Sequence, residues 1–226
     1  MAGRLLDEDP EAAWEHAVAA RSIASRIGAV REATGLAAYR TGRYSQALGE
    51  LRTARRVTGS DEHLPVMADC ERGLGRPERA LALVSEPQAR NLDRAGQIEL
   101  LLVEAGARTD LGQLEAAVVT LQVQALHGRT PSRWLARLRS AYSDALAAVG
   151  RSREAREWLE LAAAVDETGE TGAAERLAEQ DGLVFVDLIE EYGTEEDGPD
   201  GDRTPRDTPA GPAGTGDLPR QGQEPG

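Results

Sequence analysis

The sequence predicts an all-α fold: a solenoid of stacked antiparallel helix pairs, closed by a short C-terminal cap and followed by a disordered tail. Three observations point there. One motif recurs in phase, as Gly42-Arg-Tyr-Ser-Gln-Ala47, Gly75-Arg-Pro-Glu-Arg-Ala80, Gly112-Gln-Leu-Glu-Ala-Ala117 and Gly150-Arg-Ser-Arg-Glu-Ala155, with successive glycines 33, 37 and 38 residues apart. Ala, Leu, Glu, Arg and Gln, all good helix formers, dominate residues 1–192. Apolar residues there recur at three- and four-residue steps, as in the stripe Leu138, Tyr142, Ala145, Leu146 and Val149. One such helix pair cannot cover its own apolar face, so pairs stack.

The elements follow in order. Asp9-Pro10 opens the first helix, with a capping carboxylate and a proline at the first helical position. Ala13 lies 34 residues before Ala47 and Ala20 lies 34 before Ala54, so residues 10–27 read as the second helix of a truncated leading repeat. Four pairs are then expected near 28–60, 61–92, 93–128 and 130–166. In each the motif glycine is the turn, because glycine lets the chain leave a helix in a left-handed conformation. Small residues stand five positions before it (Ala37, Cys70, Ala107, Ala145) and seven before it (Gly35, Ala68, Ala105, Ser143), where helices must approach closely. Four residues after the motif alanine comes an apolar one: Leu51, Val84, Leu121 and Leu159. The spacings of 37 and 38 predict that the first helices of the third and fourth pairs are a turn longer. Leu114, Ala117, Val118, Leu121 and Ala125 mark the second helix of the third pair, and Thr130-Pro131 starts the fourth.

After the last pair, Thr168-Gly169 and Thr171-Gly172 break the chain. A cap is expected over 171–192, with a short helix at Ala173–Gln180. The run from Gly182 to Ile189, which holds the single phenylalanine, Phe185, is the most strand-like. It is expected to fold back over the last pair as a strand or extended arm; an exposed edge that pairs with another chain is the alternative. Residues 193–226 hold six of the eleven prolines, eight of the 24 glycines, and eight acids against three arginines. Such a segment cannot bury enough apolar surface to offset its chain entropy, so this acidic tail is expected to be disordered.

The small sites Gly35, Ala68, Ala105 and Ser143, the turn glycines 42, 75, 112 and 150, and Ala47, Ala80, Ala117 and Ala155 together resemble the tetratricopeptide repeat (TPR). A second small site is kept as Ala54 and Ala162 and departs at Pro87 and Gln124. Ala38, Glu71, Arg108 and Leu146 stand where the family usually has a tyrosine. The resemblance covers about residues 10–166 and extends to the small TPR proteins of high-GC actinobacteria, with which an alanine-rich chain whose 26 basic residues are all arginine agrees. It implies a right-handed solenoid whose first helices line a concave, partner-binding groove. Projected onto this chain, that groove comprises Glu32, Leu36, Tyr39 and Arg40 from the first repeat, and Glu62, Asp69 and Arg72 from the second. The third supplies Leu102 and Thr109, the fourth Arg137, Ser140 and Asp144. Tyrosine and arginine are frequent interface anchors, which favours Tyr39, Arg40, Arg72 and Arg137. The chaperone-binding branch of the family clamps a C-terminal carboxylate with Lys, Asn and Arg. This chain has no lysine, and its single asparagine, Asn91, falls outside the projected groove, so that branch is not implied.

Composition excludes other classes. One cysteine rules out a disulfide framework or a multi-cysteine metal site. No apolar run reaches membrane-spanning length, and the N-terminus turns acidic before any apolar run, so no membrane segment or signal peptide is expected and the chain is placed in the cytoplasm. A net charge of −13 argues against nucleic acid. His16, His63 and His127 lack the spacing of a helical metal site, and Cys70 fills a slot that is alanine in the other repeats. Gly73-Leu74-Gly75 lacks the third glycine of a dinucleotide fingerprint, and residues 197–202 lack the closing glutamate of a calcium loop. Trp14, Trp134 and Trp158 are expected in the packing between helices. The expectation is therefore a non-catalytic adaptor with no metal or cofactor, binding a peptide or helix of a protein partner. The alternative is a regulatory or sensor domain that binds a small ligand or peptide and controls an enzyme or transcription complex.

Overall fold

A computed structural model describes residues 5–182. Residues 183–189 of the strand-like run and the tail expected over 193–226 lie outside them. Among the described residues there are ten α-helices, two short 3-10 segments and no strand. The helices are α1 Pro10–Ala24, α2 Gly28–Arg40, α3 Tyr44–Thr58, α4 Leu64–Gly73 and α5 Pro77–Val84, then α6 Arg94–Asp110, α7 Leu114–Leu121, α8 Arg133–Ala148, α9 Ser152–Ala163 and α10 Ala173–Gln180. The 3-10 segments are Pro87–Asn91 and Gln124–His127.

Local signals account for most boundaries. The Asp9 carboxylate accepts the Ala12 N–H at 3.0 Å, with Pro10 at the first helical position. Gly42, Gly75, Gly112 and Gly150 have φ of 71°, 70°, 73° and 79°, conformations a side chain would disfavour. The residue after each glycine donates its N–H to the carbonyl five positions back: Arg43 to Ala38, Arg76 to Glu71, Gln113 to Arg108 and Arg151 to Leu146. The same 6→1 closure thus satisfies a helix end four times. The helices α6 and α8 run 17 and 16 residues, against 13 and 10 for α2 and α4, so the longer repeats do carry longer helices.

Two boundaries differ from the sequence reading. The helix expected to start at Thr130-Pro131 begins at Arg133, with Ser132 extended as the cap residue. The stripe expected to run through Ala125 ends at Leu121, and Val123 is extended before the second 3-10 segment.

Each helix packs on the next, from α1 on α2 to α9 on α10. Alternate helices also meet: α2 with α4, α4 with α6, and α6 with α8. The small sites sit where these contacts form. Ala37, Ala47, Ala68, Cys70, Ala80 and Ala107 are fully buried. At Gly35 the approach is too close for a side chain, since a Cβ there would lie 2.6 Å from Leu51 Cγ. The largest apolar cluster joins Leu121, Leu126, Leu138, Tyr142 and Leu146, with Trp158 and Trp134 packed against it.

Candidate functional site

Three-and-four spacing puts Glu62, Val66, Asp69 and Arg72 on one side of α4 and its entry, and Ala95, Glu99, Leu102 and Val103 on one side of α6. These two faces, with Tyr39 of α2, Arg137 of α8 and the entry turns at 60–63 and 91–93, enclose a cleft of about 800 Å³. Pro65, Val66, Leu92, Leu102 and Val103 give it apolar surface among the polar groups. Through Asp69 and Arg72 it continues into a recess of about 500 Å³ that reaches Tyr44, Glu78 and Asp110. Through Leu102 and Arg137 it continues into one of about 290 Å³ at Ser140, Asp144, Glu170 and Thr171.

The structure therefore brings Tyr39, Glu62, Asp69, Arg72, Leu102 and Arg137 together in the main cleft, and Ser140 and Asp144 at its far end. Glu32, Leu36, Arg40 and Thr109 line none of these spaces. Arg40 pairs with Asp7 at 2.7 Å, and the Thr109 hydroxyl donates to the Ala105 carbonyl at 3.1 Å. Asn91, expected outside the groove, lines the cleft from the end of the first 3-10 segment. His63, Val66 and Glu99 line it as well. The third-repeat contribution sits about one helical turn or more earlier than projected, at 95–103 instead of 102–109, because the added length of α6 lies at its N-terminal end. The longer glycine spacing was the available signal.

The polar groups of the cleft hold one another. The Tyr39 hydroxyl donates to Asp69 Oδ2 at 2.6 Å. Burial, then this bond to Asp69, raises the Tyr39 phenol above its ordinary range. Arg72 donates through Nη1 to Asp69 Oδ1 and through Nε to Asp110 Oδ2, both at 2.8 Å. Burial pulls the Arg72 guanidinium down, but the Asp110 and Asp69 carboxylates outweigh it, so it holds its proton more firmly than a free one. Gly106 of α6 makes room for it: a Cβ there would lie 2.6 Å from Arg72 Cζ. Arg137 pairs with Glu99. At the far end Arg176 donates to the Ser140 hydroxyl at 3.0 Å and pairs with Asp144. The arginines expected as anchors for a partner are thus engaged within the molecule.

Cys70 lies behind the cleft, fully buried. Burial, then the Asp69 and Glu71 charges, pushes its thiol up to about 12, so it stays protonated and packs as a small apolar group. Elsewhere Trp158 packs edge-on to Tyr142 and His127, at 5.2 and 5.6 Å between ring centroids. Arg43 covers Trp14 and Arg94 covers Trp134, at 5.1 and 5.2 Å. Among the described residues no helix is long and apolar enough to cross a membrane, and no group of three His, Cys, Asp or Glu side chains is arranged to hold a metal ion. No family model matches the chain, and no curated protein matches it.

Proposed function

We propose that the chain is a non-catalytic, TPR-like adaptor that binds a peptide or helix of a partner protein in the cleft between α2, α4, α6 and α8. In this reading the helices form four stacked antiparallel pairs behind a leading half repeat, within a domain over 1–192, and the protein works in the cytoplasm. The observation that carries the proposal is the lining: alternate helices, one repeat apart, present a cleft in which apolar and hydrogen-bonding side chains are interspersed. The repeated glycine turns and buried small sites support the stacking.

Selection of a displayed random-peptide library on the full chain tests it. Enriched peptides should lose binding to Ala95→Trp, which fills the cleft from an exposed helix position, and to Leu102→Arg, while circular dichroism confirms that both variants are folded. Peptides that bind both variants as well as the original chain, or no enrichment at all, would remove the adaptor reading. The cleft volume of about 800 Å³ also fits a small ligand. A ligand-dependent rise in melting temperature, abolished by Ala95→Trp, would move the reading to a sensor domain.

A further inference from the structure

The charge of the proposed peptide cleft selects its occupant, and the inference rests on that proposal. The main cleft is lined by five carboxylates, Asp61, Glu62, Asp69, Asp93 and Glu99, and by two arginines, Arg72 and Arg137. The recesses add Glu78 and Asp110 at one end and Asp144 and Glu170 at the other, with no further arginine. Both lining arginines are spent on lining carboxylates. Arg55, Arg133 and Arg176 reach Asp61, Glu170 and Asp144 from outside the lining. Nine carboxylates thus face five guanidiniums along one surface, and Glu62, Glu78 and Asp93 stand outside all of these ion pairs.

A concave surface with one sign of charge in excess focuses the field within it. An acidic segment entering would meet like charge while losing its water, and a cationic one would recover that loss. Between the carboxylates lie Pro65, Val66, Leu102 and Val103, which offer contact to apolar side chains. The geometry points to a partner segment in which arginine or lysine residues flank an apolar side chain. Its cations would sit on Glu62 and Glu78, and its apolar group against Leu102 and Val66.

The test uses the full chain and three fluorescent dodecapeptides that share their leucine and alanine positions and carry arginine, glutamine or glutamate at the remaining ones. Anisotropy at low salt should rank them arginine, glutamine, glutamate, with the arginine peptide weakening as salt rises. Glu62→Gln with Glu78→Gln should weaken the arginine peptide about two- to tenfold. Glu115→Gln with Glu179→Gln, an equal charge change at exposed sites outside the cleft, should leave it unchanged. If the glutamine or glutamate peptide binds as tightly as the arginine one and Ala95→Trp abolishes it, the charge inference falls and the cleft proposal stands. If the arginine peptide binds the cleft variants undiminished, it is held by the acidic surface at large and the inference falls. If no peptide binds, the inference falls as well, and the library selection decides the cleft proposal separately.

Discussion

Between α1 and α4 the buried side chains are mostly small, with Ala13, Ala17, Ala37, Ala38, Ala47 and Ala54 at 1% exposure or less. Between α6 and α9 they are larger: Leu121, Leu126, Leu138, Tyr142 and Leu146. The polar cross-links differ in step. In the first region, two buried carboxylates take arginines from neighbouring helices. Glu50 binds Arg21 of α1 and Arg31 of α2, and Glu71 binds Arg52 of α3 at 2.8 Å. In the second region a buried arginine binds no carboxylate. Arg139, 7% exposed, donates to the carbonyls of Leu126, Leu161 and Gly128 at 3.0, 2.8 and 2.8 Å. Burial lowers its pKa. Alanine surfaces allow close backbone approach but remove little apolar area from water. The ion pairs on Glu50 and Glu71 then orient the helices while adding little net stability, because their arginines stay partly in water and solvent screens the attraction. One sequence repeat is therefore held in two ways, by charge where residues are small and by apolar volume where they are large.

Substitutions separate the two kinds of support. The largest effect is expected from Leu138→Ala in the apolar region. It should lower unfolding free energy by about 2–5 kcal/mol, read from urea denaturation, because the cavity cannot be filled by rigid neighbours. Arg139→Met comes next, at about 2–4 kcal/mol, since it strands carbonyls of the second 3-10 segment, the turn after it and α9. In the charged region Glu71→Met should change stability by no more than ~1 kcal/mol, in either direction, because Arg52 and Arg76 are half exposed and keep their water when the carboxylate is gone. Its Oε2 already lacks a hydrogen bond, with Arg76 only at 3.6 Å. A loss as large as that of Leu138→Ala would erase the distinction between the regions.

The smallest effect concerns acid. Slight burial raises the Asp166 carboxyl, but hydrogen bonds from Thr171, Glu170 and Thr168 outweigh it and hold it below the usual aspartate range. Its folded pKa is thus below its unfolded one. The stability it contributes is present above the unfolded value and is lost as pH falls through the folded one. In Asp166→Asn that contribution should be missing at neutral pH, and the melting-temperature gap to the original chain should close on acidification into the aspartate range and below.

The helices and their turns were legible because their determinants are local: the glycine turns, the Asp9-Pro10 cap and the phase of the small sites. The two displaced boundaries follow from tertiary bonds. Arg139 ties the carbonyls of Leu126 and Gly128, which holds that stretch out of a regular helix, and α8 then begins after Ser132, whose hydroxyl makes no capping bond, instead of after Thr130. In the candidate site, Tyr39, Glu62, Asp69, Arg72, Leu102 and Arg137 were legible as cleft residues, whereas Asn91, His63, Val66 and Glu99 were not, and neither was the pairing. Tyr39–Asp69, Arg72–Asp110 and Arg137–Glu99 join residues 30, 38 and 38 positions apart. Those separations are close to one repeat, so the signal existed in the period. It needed the knowledge that first helices of successive repeats touch.

Hydrogen exchange of the full chain, with and without the arginine dodecapeptide, reads occupancy of the cleft between α4 and α6. Slowed exchange is expected over 61–72 and 94–103, the two segments that face each other across the cleft. Protection absent from both, or confined to α9 and α10, would contradict that occupancy.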